Sequence, residues 1–257
     1  MIQKRRTNLY APEAKIPFNV SRSKIDFFLE CPRCFYLDRK LGIIRPSIPG
    51  YTLNIAVDTL LKKEFDILRE QKKPHKLMVE FNIDAIPFWH EDFHIWRDDV
   101  SRKVGASVLH KETNLNICGI IDDIWVNTKT NQLHIVDYKS TSTDYPISLD
   151  GEYKEGYKRQ MEIYRWIFQK MGFNVSDVSY FFYVNAIKKR PEFNGKLEFE
   201  AIILPHKGDN SWVEKTIFDI KKTLDSNKIP ESGLKCEYCA YRKLINDESL
   251  KDQVSLI

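Results

Sequence analysis

Two short apolar runs interrupted by carboxylates constrain this chain most. The first is Cys118-Gly119-Ile120-Ile121-Asp122-Asp123-Ile124-Trp125-Val126, and the second is Leu133-His134-Ile135-Val136-Asp137-Tyr138-Lys139-Ser140. Both are rich in Ile and Val, and the polar segment Asn127-Thr128-Lys129-Thr130-Asn131 separates them, which predicts two strands of a hairpin. Antiparallel pairing would bring Asp122 and Asp137 together at one end of a sheet. Successive strand side chains point to opposite faces, so Asp137 and Lys139 share a face while Tyr138 takes the other. Charges buried beside apolar strands are costly unless they pair or bind a metal, so the cluster reads as a seat for a divalent cation with a cationic neighbour. A solvated face carrying a same-side ion pair has the same Asp-x-Lys spelling. Context argues for the site: Asp122 follows a glycine and strand-like residues, and Asp137-Tyr138-Lys139 ends an apolar run where a sheet meets solvent.

The remaining pattern predicts an α/β domain. Ser21 or Ser23 can cap a short helix carrying Ile25, Phe27, Phe28 and Leu29. A loop with Pro46, Pro49 and Gly50 precedes a helix from about Leu53 to Leu68, where Val57, Leu60, Leu61, Phe65 and Leu68 recur at helical spacing. Short strands are expected from about Leu77 to Val126, including Lys103 to Leu109, with the hairpin closing the series. A long helix follows over about Lys154–Met171, then strands near Val178–Val184 and Leu197–Leu204, and a helix over Trp212–Leu224. This order argues for a mixed sheet. At 257 residues, 42% hydrophobic, the chain can bury a sizeable core and is not disordered.

No run approaches the ~20 apolar residues of a membrane span, and Met1-Ile2-Gln3-Lys4-Arg5-Arg6 has no apolar signal core behind it, so a cytoplasmic location is expected. Net charge is only +4, from 40 basic and 36 acidic residues, which excludes a generic polyanion binder. Nucleic-acid contact would have to come from local clusters such as Lys4-Arg5-Arg6 or Lys188-Lys189-Arg190, although short basic runs are usually solvated loops or tails. Trp89, Phe93, Trp96, Phe182 and Tyr183 can stack bases, with core packing the commoner use. No Gly-x-x-x-x-Gly-Lys-Ser/Thr phosphate loop is present.

The cysteines are a second signal. Cys31 and Cys34 form one Cys-x-x-Cys and Cys236 and Cys239 another, about 200 residues away. Four thiolates suit a tetrahedral Zn²⁺ or a [4Fe-4S] cluster, and disulfides are disfavoured in a cytoplasmic chain. Cys118 reads as a small buried hydrophobe.

Gly-x-x-Asp, a hairpin, Ile-Val-Asp-Tyr-Lys-Ser, then a helix carrying Gln160 and Tyr164, resembles the PD-(D/E)XK nuclease superfamily. Within it, the chain is similar to the RecB-like branch that includes CRISPR-associated RecB-like exonucleases. The likeness extends to Ser21-Arg22-Ser23-Lys24-Ile25 through Cys31-Pro32-Arg33-Cys34-Phe35-Tyr36-Leu37, and to Cys236-Glu237-Tyr238-Cys239-Ala240-Tyr241-Arg242. It implies a restriction-endonuclease-like core with a central mixed sheet flanked by helices. Residues 1–257 would form one nuclease domain, with segments 20–45 and 228–250 making a cysteine-stapled helical subdomain.

The resemblance further implies Mg²⁺- or Mn²⁺-dependent hydrolysis of DNA phosphodiesters, as an exonuclease on single strands or ends. Asp122, Asp137 and the backbone carbonyl of Tyr138 would hold the ion, and Lys139 would serve the attacking water and the transition state. In relatives a histidine often joins the metal shell from the first long helix. This chain has Asp58 there, a harder ligand that suits the same ions, or simply an aspartate at a helix edge. By sequence alone Gln160 can face the pocket or the core and Tyr164 reads as structural; the resemblance implies that both look into the pocket, orienting Lys139 or contacting a DNA phosphate, and join Asp122, Asp137 and Lys139 as catalytic residues. The cysteines would hold [4Fe-4S], with Zn²⁺ as the alternative, although such relatives usually place one cysteine early and three late. Any unwinding would fall to a helicase or other DNA-processing partner, and a noncatalytic nucleic-acid-binding or assembly module is the competing reading.

Overall fold

The computed structural model of the chain describes residues 4, 7–46, 49–98 and 104–254, with side chains through 247. Arg5, Arg6 and Lys103 lie outside the described residues. In chain order the elements are β1 (Phe18–Ser21), α1 (Arg22–Glu30), α2 (Pro32–Arg39), α3 (Thr52–Gln71), α4 (Lys76–Glu80), β2 (Ala85–Pro87), α5 (Phe93–Asp98), β3 (Ala106–His110) and β4 (Leu115–Gly119). There follow β5 (Asp123–Asn127), β6 (Leu133–Thr141), a 3₁₀ turn (Glu152–Lys154), α6 (Glu155–Lys170), β7 (Val178–Ala186), β8 (Phe199–Lys207), α7 (Ser211–Asp225) and α8 (Glu237–Val254). They form two compact units, one of residues 49–108 and 117–213, the other of residues 1–48, 109–116 and 214–257.

The first unit is built on a five-stranded mixed sheet in the order β2-β5-β6-β7-β8. The hairpin read from the sequence is β5 and β6, antiparallel. β6 and β7 run parallel, because α6 carries the chain back across the sheet between them, and parallel neighbours need such a crossover. Helices cover both faces. On one face Phe65 of α3 is fully buried, with its ring 5.6 Å from Trp125, 5.4 Å from Tyr138 and 5.3 Å from Phe182. On the other, α6 buries Gln160, Met161, Ile163, Tyr164 and Ile167. The mixed sheet between helices is thus the expected fold class.

Two helices interrupt the stretch where only short strands were expected. α4 starts where the His75 imidazole accepts the Leu77 N–H at 3.2 Å, and α5 buries Phe93 and Trp96, one turn apart. Segments of five and six residues carry too little periodicity to separate helix from strand by pattern. Ser21 does sit at the N-cap of α1, yet its hydroxyl makes no cap bond and lies 3.0 Å from the Ser23 hydroxyl.

The second unit joins early and late segments of the chain. Pro32 opens α2, a position that wastes no backbone donor, and Phe35 is fully buried with its ring 5.3 Å from Phe28. The Tyr36 hydroxyl donates to the Ser226 carbonyl at 3.0 Å, and the Lys40 ammonium donates to the Leu224 carbonyl at 2.8 Å. Asp38 is buried, with the Lys24 ammonium 2.6 Å away. Residues 109–116, the tip between β3 and β4, lie beside β1: Phe18 N–H donates to the Asn114 carbonyl at 3.2 Å.

Candidate active site and metal centre

The β5–β6 register pairs Asp123 with Val136, so Asp122, one residue earlier, comes opposite Asp137. The Tyr138 N–H donates to Asp122 Oδ2 at 2.9 Å. Lys139 shares Asp137's face, as strand alternation requires, and its ammonium bonds one Asp137 oxygen while the Gln160 amide donates to the other. Gln160 therefore looks into the site, where it orients the acid. Tyr164, one helical turn further, donates its hydroxyl to the Ile120 carbonyl and props the strand entering Asp122. Asp122, Asp137, Lys139, Gln160 and Tyr164 are all brought together.

Asp58 approaches from α3 through a lysine that sequence reasoning missed. Lys62 lies one turn along, its ammonium 2.9 Å from Asp58 Oδ2 and 4.0 Å from Asp122 Oδ1. Burial, then the charge of Asp137, pushes the Asp122 carboxyl up to about 7, against Lys139, Lys62 and the Tyr138 N–H. Asp58 is raised too, mainly by burial, with the Asp122 charge adding to it and the Lys62 hydrogen bond opposing it. With Asp122 and Asp58 both raised despite the two lysines, the site is short of positive charge. Hard oxygen donors of this kind suit Mg²⁺ or Mn²⁺.

Asp123 was also missed. It points to the opposite face, is fully buried, and accepts from the Tyr138 hydroxyl at 2.7 Å and from Arg69. Arg69 in turn donates to the Phe88 carbonyl at 2.7 Å. An Asp-Asp doublet at a strand end must serve both faces, which is the signal that could have found it. The basic run Lys188-Lys189-Arg190 is exposed but paired, the lysines 3.5 and 4.0 Å from Asp144 and Arg190 against Glu198. Phe93, Trp96, Phe182 and Tyr183 are buried core, and Trp89 is exposed.

Within the other unit the Sγ atoms of Cys31, Cys34, Cys236 and Cys239 all lie within 4.8 Å of one another. Individual separations are 3.8 Å for Cys31–Cys239, 3.7 Å for Cys34–Cys236 and 3.5 Å for Cys34–Cys239. Zn–S bonds of ~2.3 Å in a regular tetrahedron place the sulfurs ~3.8 Å apart. In a [4Fe-4S] core each thiolate takes a different iron, which spaces the sulfurs more widely. The Gly233 N–H donates to Cys31 Sγ at 3.2 Å and the Arg45 guanidinium to Cys236 Sγ at 3.0 Å. Burial opposes ionisation of Cys31, but the Gly233 and Cys34 N–H groups bring its thiol down to about 7. Gly233 can come this close because it has no Cβ, which would fall 2.0 Å from the Glu30 carbonyl oxygen. Cys118 lies in the other unit, its thiol raised by burial to about 11.

Comparison with protein families agrees with this geometry. The family model described as the PD-(D/E)XK nuclease superfamily matches residues 19–244, from β1 into α8 and across both cysteine pairs. No curated protein matches the chain. With a mixed sheet between helices, paired acids and a lysine on its central strands and a match over most of its length, the chain belongs to the PD-(D/E)XK nuclease superfamily and has a restriction-endonuclease-like core.

Proposed function

We propose that this nuclease is a Mg²⁺- or Mn²⁺-dependent DNA exonuclease of the RecB-like branch, acting in the cytoplasm on single strands or ends, with unwinding supplied by a partner. The convergence of Asp122, Asp137 and Lys139, with Gln160 fixing Asp137, carries the reading. Asp122, Asp137 and the Tyr138 carbonyl would hold the ion, with Asp58 completing the shell from α3. A bound divalent cation supplies a water of lowered pKa and neutralises charge on the phosphate. Lys139 faces the reacting phosphate, where its ammonium offsets charge in the transition state and orients the attacking water. Gln160 fixes the orientation of the Asp137 carboxylate that would hold the ion. Lys62 offsets the charge of Asp58 and Asp122, the place a divalent cation would take.

For the cysteines we propose one structural Zn²⁺ held by Cys31, Cys34, Cys236 and Cys239, in preference to the [4Fe-4S] cluster the resemblance implies. Three sulfur pairs at 3.5–3.8 Å, with all four atoms within 4.8 Å of one another, favour a single tetrahedral ion. Metal analysis and the visible spectrum of anaerobically purified protein test this. A colourless protein with one zinc per chain is expected, and a brown one would overturn the assignment.

Digestion of fluorescent single- and double-stranded DNA with Mg²⁺, Mn²⁺ or EDTA tests the activity. Cleavage should require the metal and be abolished in Asp122→Ala and Lys139→Ala variants that keep the wild-type circular dichroism. Full residual activity in either would defeat the assignment. Absence of cleavage on every substrate would leave a noncatalytic binding module.

A further inference from the structure

The 3₁₀ turn ahead of α6 carries a lysine that the mechanism above does not use. The Lys154 ammonium donates to the Tyr183 hydroxyl at 2.9 Å. It also lies 4.9, 5.1 and 5.0 Å from the ring centroids of Tyr153, Tyr157 and Tyr183. The Tyr157 ring faces the Lys139 ammonium as well, at 4.6 Å, and Tyr183 stands beside Lys139 in the β6–β7 register. Two lysines thus share one aromatic wall. Their charges are met differently: Lys139 pairs with Asp137, whereas Lys154 has no carboxylate partner among the described residues. Burial, then the charge of Lys139, lowers the pKa of Lys154, so an arriving anion would relieve a cation held against its own kind.

The surroundings match a nucleotide. Tyr153 is 74% exposed beside the Lys154 ammonium. On the Lys139 side of Tyr157 an open groove of about 320 Å³ is lined by Asp58, Lys139, Tyr157 and Tyr51, the last a residue 70% exposed. A cation that meets phosphate beside a free aromatic face is the combination that holds unpaired strands.

Resting on the nuclease reading, we propose that Lys154 and Tyr153 form a nucleotide subsite next to the scissile phosphate. The ammonium takes the flanking phosphate and the Tyr153 ring stacks on an unpaired base, which makes a single strand the substrate class. Binding of a fluorescent oligothymidylate and of a blunt duplex of equal length, followed by anisotropy in EDTA across a salt series, tests this.

Losing one phosphate contact lowers the slope of log affinity against log salt by ~0.7 on a single strand, so Lys154→Met should show that drop and Lys154→Arg should not. Tyr153→Ala should weaken oligothymidylate ~5- to 150-fold, the cost of one lost base stack, and leave the duplex unchanged. An unchanged slope in Lys154→Met, or equal weakening of both ligands by Tyr153→Ala, would overturn the subsite. Wild-type cleavage with Mg²⁺, run alongside, separates the readings. A wild type that cuts while the slope is unmoved loses only the subsite; one that neither binds nor cuts loses the nuclease reading as well.

Discussion

Replacing Asp122 by Asn should stabilise the metal-free protein while destroying its activity. The carboxyl is raised from 3.8 to about 7, so the folded chain holds a proton that the unfolded chain has released. For an acid with a raised folded pKa, the penalty is absent below about pH 3, grows as pH rises, and is complete above about pH 7. At ~1.4 kcal/mol per unit, the shift corresponds to about 4 kcal/mol. The Asp122 side chain keeps 23% of its surface exposed, and solvent screening makes this figure a ceiling.

Asn removes the charge, and its carbonyl oxygen can still accept the Tyr138 N–H that Asp122 accepts at 2.9 Å. Thermal unfolding in EDTA at pH 8 should therefore show Asp122→Asn melting above wild type, by up to about 10 °C for a protein of this size. The gain should shrink to less than half at pH 5 and vanish below about pH 3. Adding Mg²⁺ should stabilise wild type and leave Asp122→Asn unmoved. A variant melting at or below wild type at pH 8 would refute the claim that Asp122 is held in a cluster short of positive charge.

Gln160→Ala frees one Asp137 oxygen and should reduce metal affinity or activity ~10- to 100-fold, with circular dichroism unchanged; titration of Mn²⁺ measures it. Arg69→Met leaves the fully buried Asp123 facing only the Tyr138 hydroxyl and its own strand. It should cost ~3–5 kcal/mol in urea unfolding, and adding Asp123→Asn should recover much of the loss. Gly233→Ala places a methyl 2.0 Å from the Glu30 oxygen and lifts the donor off Cys31, so purified protein should carry less than one zinc per chain by atomic absorption. Stoichiometric metal in that variant would refute the close-approach argument.

The acid-lysine site was legible because strand alternation is strictly local: Asp137 and Lys139 two apart must share a face, and the polar turn left antiparallel pairing as the simplest way to bring Asp122 opposite. Gln160 and Tyr164 were legible as one face of a helix, but which groups they meet was not. The amide holds Asp137 and the hydroxyl holds Ile120 only because α6 crosses back over β6.

By itself, then, the sequence determined the hairpin, the helices α3, α6 and α7, the shared face of Asp137 and Lys139 and the pairing of cysteines within each Cys-x-x-Cys, all set by periods of two and by helical turns. Tertiary structure alone decided that Lys62 reaches Asp122, that Asp123 is a buried partner of Arg69, and that thiols some 200 residues apart stand within 4.8 Å of one another. These contacts depend on chain segments whose separation no local pattern encodes, and they form only when packing of the whole core repays the entropy of bringing them together.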